Sequence, residues 1–87
     1  MYVIVVYDAN VDRVDKIRMF LKQYLNWVQN SVFEGELTKV ELKIIKEKIR
    51  EFIDRKQDSV RIYVLRSDKY LKMIELGTSK VELSAII

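Results

Sequence analysis

The chain should fold as an α+β sandwich, with two helices laid against one face of a largely antiparallel sheet. Three observations predict this. An almost unbroken apolar run, Tyr2-Val-Ile-Val-Val-Tyr-Asp8, opens the sequence; two later stretches repeat apolar residues every three or four positions; and the segments after each stretch alternate with a period of two. The resulting order is β-α-β(β)-α-β-β. Crossover handedness then puts both helices on the same side of the sheet.

The opening run is rich in β-branched and aromatic residues, so it reads as a strand buried on both faces and central in its sheet, roughly 20 Å long. It stops on Asp8, where the strand meets solvent. A carboxylate held at a rigid strand end can bind a metal ion or position a reacting group; it is also a common way to leave a strand. Val14, Ile17, Phe20, Leu21, Tyr24 and Leu25 then recur at helical spacing, which predicts a helix over 11–25. Asn10 or Asp12 caps its start, and Asp12 and Asp15 suit the positive end of its dipole. Arg13 and Lys16 fall in its first turns, near Asp8, where they would neutralise that carboxylate or share a phosphate with it.

The stretch Trp27-Val-Gln-Asn-Ser-Val-Phe-Glu-Gly35 is extended, but its parity shifts. Val28 and Val32 fall on one side and Trp27 and Phe33 on the other, with Asn30-Ser31 between. Either two short strands joined by a tight turn or one bulged strand fits. Thr38-Lys-Val-Glu41 has the spacing of a capping box and starts a second helix, whose buried stripe is Leu42, Ile45, Ile49, Phe52 and Ile53 and whose end falls near 55–57. A strand over 59–65 follows, with Val60, Ile62 and Val64 on one face, then a polar connection and a further strand near 70–76, broken at Gly77. Residues 1–77 form the domain. The tail 78–87 alternates Val81, Leu83, Ala85 and Ile87 with other residues, so it needs a sheet edge to join. The partner's sheet in a two-fold dimer, joined by strand exchange, is favoured over an edge within the chain.

Taken together this is a ferredoxin-like sandwich, a fold that hosts many activities and decides none. Composition excludes more than it includes. With neither cysteine nor histidine in 87 residues, disulfides, thiolate chemistry, zinc sites built on those ligands and Ser-His or Cys-His nucleophile pairs are all ruled out. Any metal must be a hard one held through oxygen. The sequence shows no long uncharged apolar run, which points to a cytoplasmic protein with no membrane partner. Net charge is +3 with a pI near 9.2, and the excess gathers over 39–56 and 61–72. Such an excess can follow a phosphate backbone or simply solvate a helix face.

Tyr7-Asp8 at the strand end, Arg13 and Lys16 in the first helix, and above all the block Gln29-Asn-Ser-Val-Phe-Glu34 about twenty residues later resemble the small endonuclease-like subunit of the CRISPR adaptation machinery, the smaller of its two near-universal proteins. The resemblance spans essentially the whole chain. It implies a homodimer whose paired Asp8 residues face each other across the two-fold axis and share one Mg²⁺, which would activate water for phosphodiester hydrolysis of single-stranded RNA or duplex DNA. It also implies that Arg13, Lys16 and Ser31 contact nucleic acid, and that Tyr7, Trp27 and Phe33 lie near the cleft, Phe33 as a packing residue. In one respect the chain departs from the pattern: many relatives carry an arginine where Trp27 stands, so a phosphate contact is lost and an aromatic surface gained. The family's second role needs no catalysis. There the dimer bridges two integrase subunits and braces the protospacer duplex through phosphate contacts, and this architectural role is favoured. A toxin-like metal-dependent ribonuclease of the related ferredoxin-fold interferase type is the alternative.

Overall fold

The computed structural model describes residues 1–65 and 74–77 in full and the backbone of 71–73. The expected tail strand over 78–87, and the polar connection before the last strand, lie outside the described residues. The elements are β1 (Tyr2–Asp8), α1 (Val11–Leu21), β2 (Asn26–Gln29), β3 (Val32–Glu36), α2 (Lys39–Phe52), β4 (Ser59–Leu65) and β5 (Leu71–Gly77). They build one five-stranded antiparallel sheet in the order β2-β3-β1-β4-β5, which is the ferredoxin-like arrangement the sequence predicts.

β1 is central, as its composition requires, with β3 on one side and β4 on the other. Its odd residues Val3, Val5 and Tyr7 point to the helices and join Phe33, Val60, Ile62 and Val64 beneath Ile17 and Leu21 of α1 and Ile45 and Ile49 of α2. The even residues line the helix-free face. There Val6 and Tyr63 form a second, smaller apolar cluster with Ile4 and Val32. Both faces of β1 therefore carry apolar side chains, which is why its sequence shows no alternation.

Helix α1 is shorter than its apolar spacing suggests. It is capped by Asn10, whose side chain accepts from the Val11 amide, and it closes at Leu21 in a tightened turn, with Gln23 N–H bonded to Phe20 C=O and Tyr24 N–H to Leu21 C=O. That turn keeps Tyr24 against Phe20, ring centroids 5.5 Å apart, and Leu25 buried, so the three-to-four spacing outlasts the helix. Helix α2 starts on the full reciprocal capping box between Thr38 and Glu41. It ends at Phe52, earlier than the 55–57 expected, because Ile53 is already extended and the following turn is pinned by Asp58. Over 26–36 the two sequence readings turn out to be compatible: β2 and β3 form a hairpin whose turn residue Asn30 takes φ 40°, and the register also slips between Trp27 and Gln29.

Candidate functional site: the strand tip at Asp8

Asp8 ends β1 opposite Ser59, the first residue of β4. It is exposed, and its carboxylate takes part in no hydrogen bond or ion pair among the described residues. By strand alternation it belongs to the helix-free face, in line with Ile4 and Val6. A hard, free, solvent-facing carboxylate on a rigid central strand has the donor chemistry for Mg²⁺. One carboxylate needs further oxygen ligands, however, and no group of three or more metal-binding side chains occurs among the described residues.

Arg13 reaches the same end of the sheet but does not serve Asp8. Its guanidinium is taken by Asp58, Nε and Nη2 lying 2.5 and 3.0 Å from the two carboxylate oxygens. Asp58 is fully buried just before β4, and it also accepts from the backbone N–H groups of Asn10 at 3.0 Å and Asp54 at 2.8 Å. This knot ties the start of α1 to the connection between α2 and β4, and so fixes the two segments on either side of the Asp8 tip. Lys16 likewise turns away from Asp8, its ammonium lying 5.3 Å from the Phe52 ring of α2. Neither cation neutralises Asp8 in this arrangement, for a geometric reason: a deeper carboxylate takes Arg13, and the helix rotation carries Lys16 to the α1–α2 groove.

Sequence reading missed Asp58, because a lone acid before a strand looks like any turn residue. Burial alone would raise its pKa, but the Arg13 hydrogen bonds, the two amide donors and the Arg13 charge outweigh that and hold it at about 2. A carboxyl held below its unfolded value of 3.8 stabilises the fold at pH above that value, and the contribution is lost as pH falls toward 2. Urea midpoints taken between pH 6 and pH 2 should therefore show an acid-sensitive component of about 2 kcal/mol that Asp58→Asn removes. An unchanged acid limb in that variant would assign the sensitivity elsewhere.

Tyr7 and Ser31 stand together behind the tip. The Tyr7 N–H donates to Ser31 C=O at 3.1 Å, while burial pushes the Tyr7 hydroxyl pKa up. Tyr7 is 3% exposed and lies 6.2 Å, ring to ring, from Phe33, which is wholly buried; both are core residues supporting the tip rather than facing a cleft. Trp27 lies across β3 on the outer strand and is 47% exposed. On the helix-free face Arg61 is held by Glu75 at 2.8 Å. The freer positive charge is on α2, where Lys39, Lys43, Lys46 and Arg50 recur at four, three and four residues and line a groove with Met1, Leu42, Val64, Ile74 and a single acid, Glu47. That stripe runs roughly 16 Å along the helix.

The fold and this site define a class: a small ferredoxin-like domain presenting one unpartnered carboxylate from the tip of its central strand. Comparison with known proteins makes the class specific. The family model described as CRISPR associated protein Cas2 matches residues 1–73. A protein of Methanosarcina acetivorans named CRISPR-associated endoribonuclease Cas2 is 53% identical over 87 residues, covering 100% of both chains. Among solved structures, one described as a crystal structure of Cas2 superposes with a TM-score of 0.73 at 44% identity, covering 95% of each chain. The Streptococcus pyogenes Cas2 structure gives 0.70 at 36% identity over 78% of this chain and 89% of its own. The chain belongs to the Cas2 family of CRISPR-associated proteins. Among the described residues no helix is long and apolar enough to cross a membrane.

Proposed function

We propose that the chain acts in CRISPR adaptation as a homodimeric nucleic-acid-binding subunit that bridges integrase subunits, and that its paired Asp8 residues give it a secondary, Mg²⁺-dependent phosphodiesterase activity. The observation that carries this reading is that Asp8 shares the helix-free face with the apolar cluster of Ile4, Val6, Val32 and Tyr63. Val6 and Tyr63 are already buried within the chain, so two such faces packed together would cover the partly exposed Ile4 and Val32 and draw the two strand tips toward one axis, converting a single carboxylate into a symmetric pair.

Each part of the chain then has a task. The cations along α2 neutralise phosphates without reading bases, which suits a brace for duplex DNA of any sequence. The Asp8 pair would hold Mg²⁺, which when bound supplies Lewis-acid activation of water and charge neutralisation at a scissile phosphate. The Arg13–Asp58 knot and the Tyr7–Ser31 contacts hold the tips still. Hydrolysis of RNA is supported by the endoribonuclease name of the relatives, and the architectural role by the row of cations along α2.

Cleavage of single-stranded RNA and duplex DNA by repurified wild type and Asp8→Asn, each with magnesium and with chelator, tests the enzyme half. Loss of a shared metal ligand should remove several kcal/mol of transition-state stabilisation, at least about a hundredfold in rate, while the protein sediments as a dimer throughout. Equal activity in both proteins would remove Asp8 from catalysis. For the architectural half, spacer integration in the presence of the integrase should survive Asp8→Asn and fail when Lys39, Lys43 and Lys46 are reversed to Glu together. A monomeric wild type would undo both halves.

A further inference from the structure

Trp27 stands on β2, an edge strand whose four residues are all exposed, yet its indole is firmly placed. The ring is stacked beside Phe33 at 6.4 Å with the planes 16° apart, and its N–H donates to the Asn30 carbonyl at 2.8 Å. Two cations from the end of α1 lie against it, the Arg18 guanidinium at 5.2 Å and the Lys22 ammonium at 4.8 Å from the ring centre. Arg18 also pairs with Asp15; Lys22 has no acidic partner among the described residues.

We infer that Trp27, Arg18 and Lys22 form a stacking site for an unpaired base of single-stranded nucleic acid, the indole taking the base and the two cations the neighbouring phosphate. The inference deepens the nucleic-acid-binding reading above and rests on it. Three physical points carry it. An exposed, immobilised indole offers a flat π-face at little ordering cost, and bases of any identity stack on such a face. The cation–π contacts now covering it are weak at an exposed site, so a base can displace them, and the freed side chains are then within reach of the phosphate that accompanies the base. Duplex DNA has its bases already stacked, so the site selects unpaired strands. A protein strand added to β2 is the poorer occupant, because the register slip between Trp27 and Gln29 breaks the regular ladder of donors and acceptors that an incoming strand would need.

Trp27 is the chain's single tryptophan, so its fluorescence reports this site alone. Titration of the intact protein with an oligothymidylate should quench that emission, whereas inorganic polyphosphate, which carries the charge without bases, should not. Trp27→Ala should weaken oligothymidylate binding about tenfold, Trp27→Phe should restore most of it, and blunt duplex should bind wild type and both variants alike. Equal quenching by polyphosphate, or single-strand affinity unchanged in Trp27→Ala, would overturn the inference while leaving duplex binding intact. Failure of wild type to bind either nucleic acid would overturn the broader reading as well.

Discussion

Asp58→Ala is expected to cost about 3–5 kcal/mol of folding stability, although the residue adds no apolar side chain to the core of the sandwich. The carboxylate is fully buried and serves three segments at once: the Arg13 guanidinium, the Asn10 amide at the cap of α1 and the Asp54 amide in the turn after α2. Truncation leaves two backbone donors unsatisfied and the Arg13 guanidinium with only the exposed Asp12 carboxylate at 3.6 Å and Gln57 at 3.4 Å, and each loss alone exceeds a typical surface effect. For a domain of this size, whose total stability is on the order of 5–15 kcal/mol, that is about a fifth of the whole or more. Replacing both members of the ion pair by apolar residues, often harmless elsewhere, will not rescue the fold here, because the two amides remain orphaned. Arg13→Ala should destabilise in the same direction, and a double-mutant cycle with Asp58→Ala should show strong coupling. Urea denaturation at pH 7 decides the matter: a loss below about 1 kcal/mol for Asp58→Ala would mean that water replaces the carboxylate and the knot is dispensable. The result also separates two roles for Arg13. A residue free to grip phosphate lowers affinity when removed and leaves stability alone, and the opposite outcome is expected.

The elements of the fold were legible because each is written in short-range pattern. The doubly apolar β1, the Thr38–Glu41 box and the alternation over 59–65 each correspond to a local structure almost residue for residue. Helix ends were less legible, since Tyr24 and Leu25 keep their spacing through a tightened turn and nothing local announces that Ile53 leaves α2. At the site, the position of Asp8 followed from where its strand stops, but the partners of Arg13 and Lys16 did not. Sequence neighbours predict who is near in the chain, whereas Arg13 meets an acid 45 residues away and Lys16 an aromatic on the other helix. Trp27 shows the same limit from the other direction. The sequence marks it as an aromatic, and only the packing shows that Arg18 of α1 and Lys22 at the end of that helix have gathered on it.

Gly77→Ala is expected to be comparably damaging, on the order of 3–4 kcal/mol. Gly77 closes β5 opposite Ser59 with φ at +92°, a backbone conformation that side chains of L-residues rarely adopt. Space is the harder obstacle. A Cβ there would sit 2.1 Å from the Asp58 carbonyl oxygen and 3.0 Å from its carbon, and both are main-chain atoms with no rotamer to escape into. Relief requires β5 to part from the start of β4, which loosens the pairing of Ser59 with Asp8 on its other side and tilts the peptide that carries the Asp58 carboxylate. Glycine is thus kept at this position by the same structure that anchors α1 and steadies the strand tip. Hydrogen exchange should therefore register the substitution first in the amides of Asn10, Asp54 and Ser59, not only in β5. Protection lost in β5 alone, with those amides unchanged and stability within about 1 kcal/mol of wild type, would show that the end of β5 yields without disturbing the tip and that Asp8 is held by β1 and β3 without help from this corner.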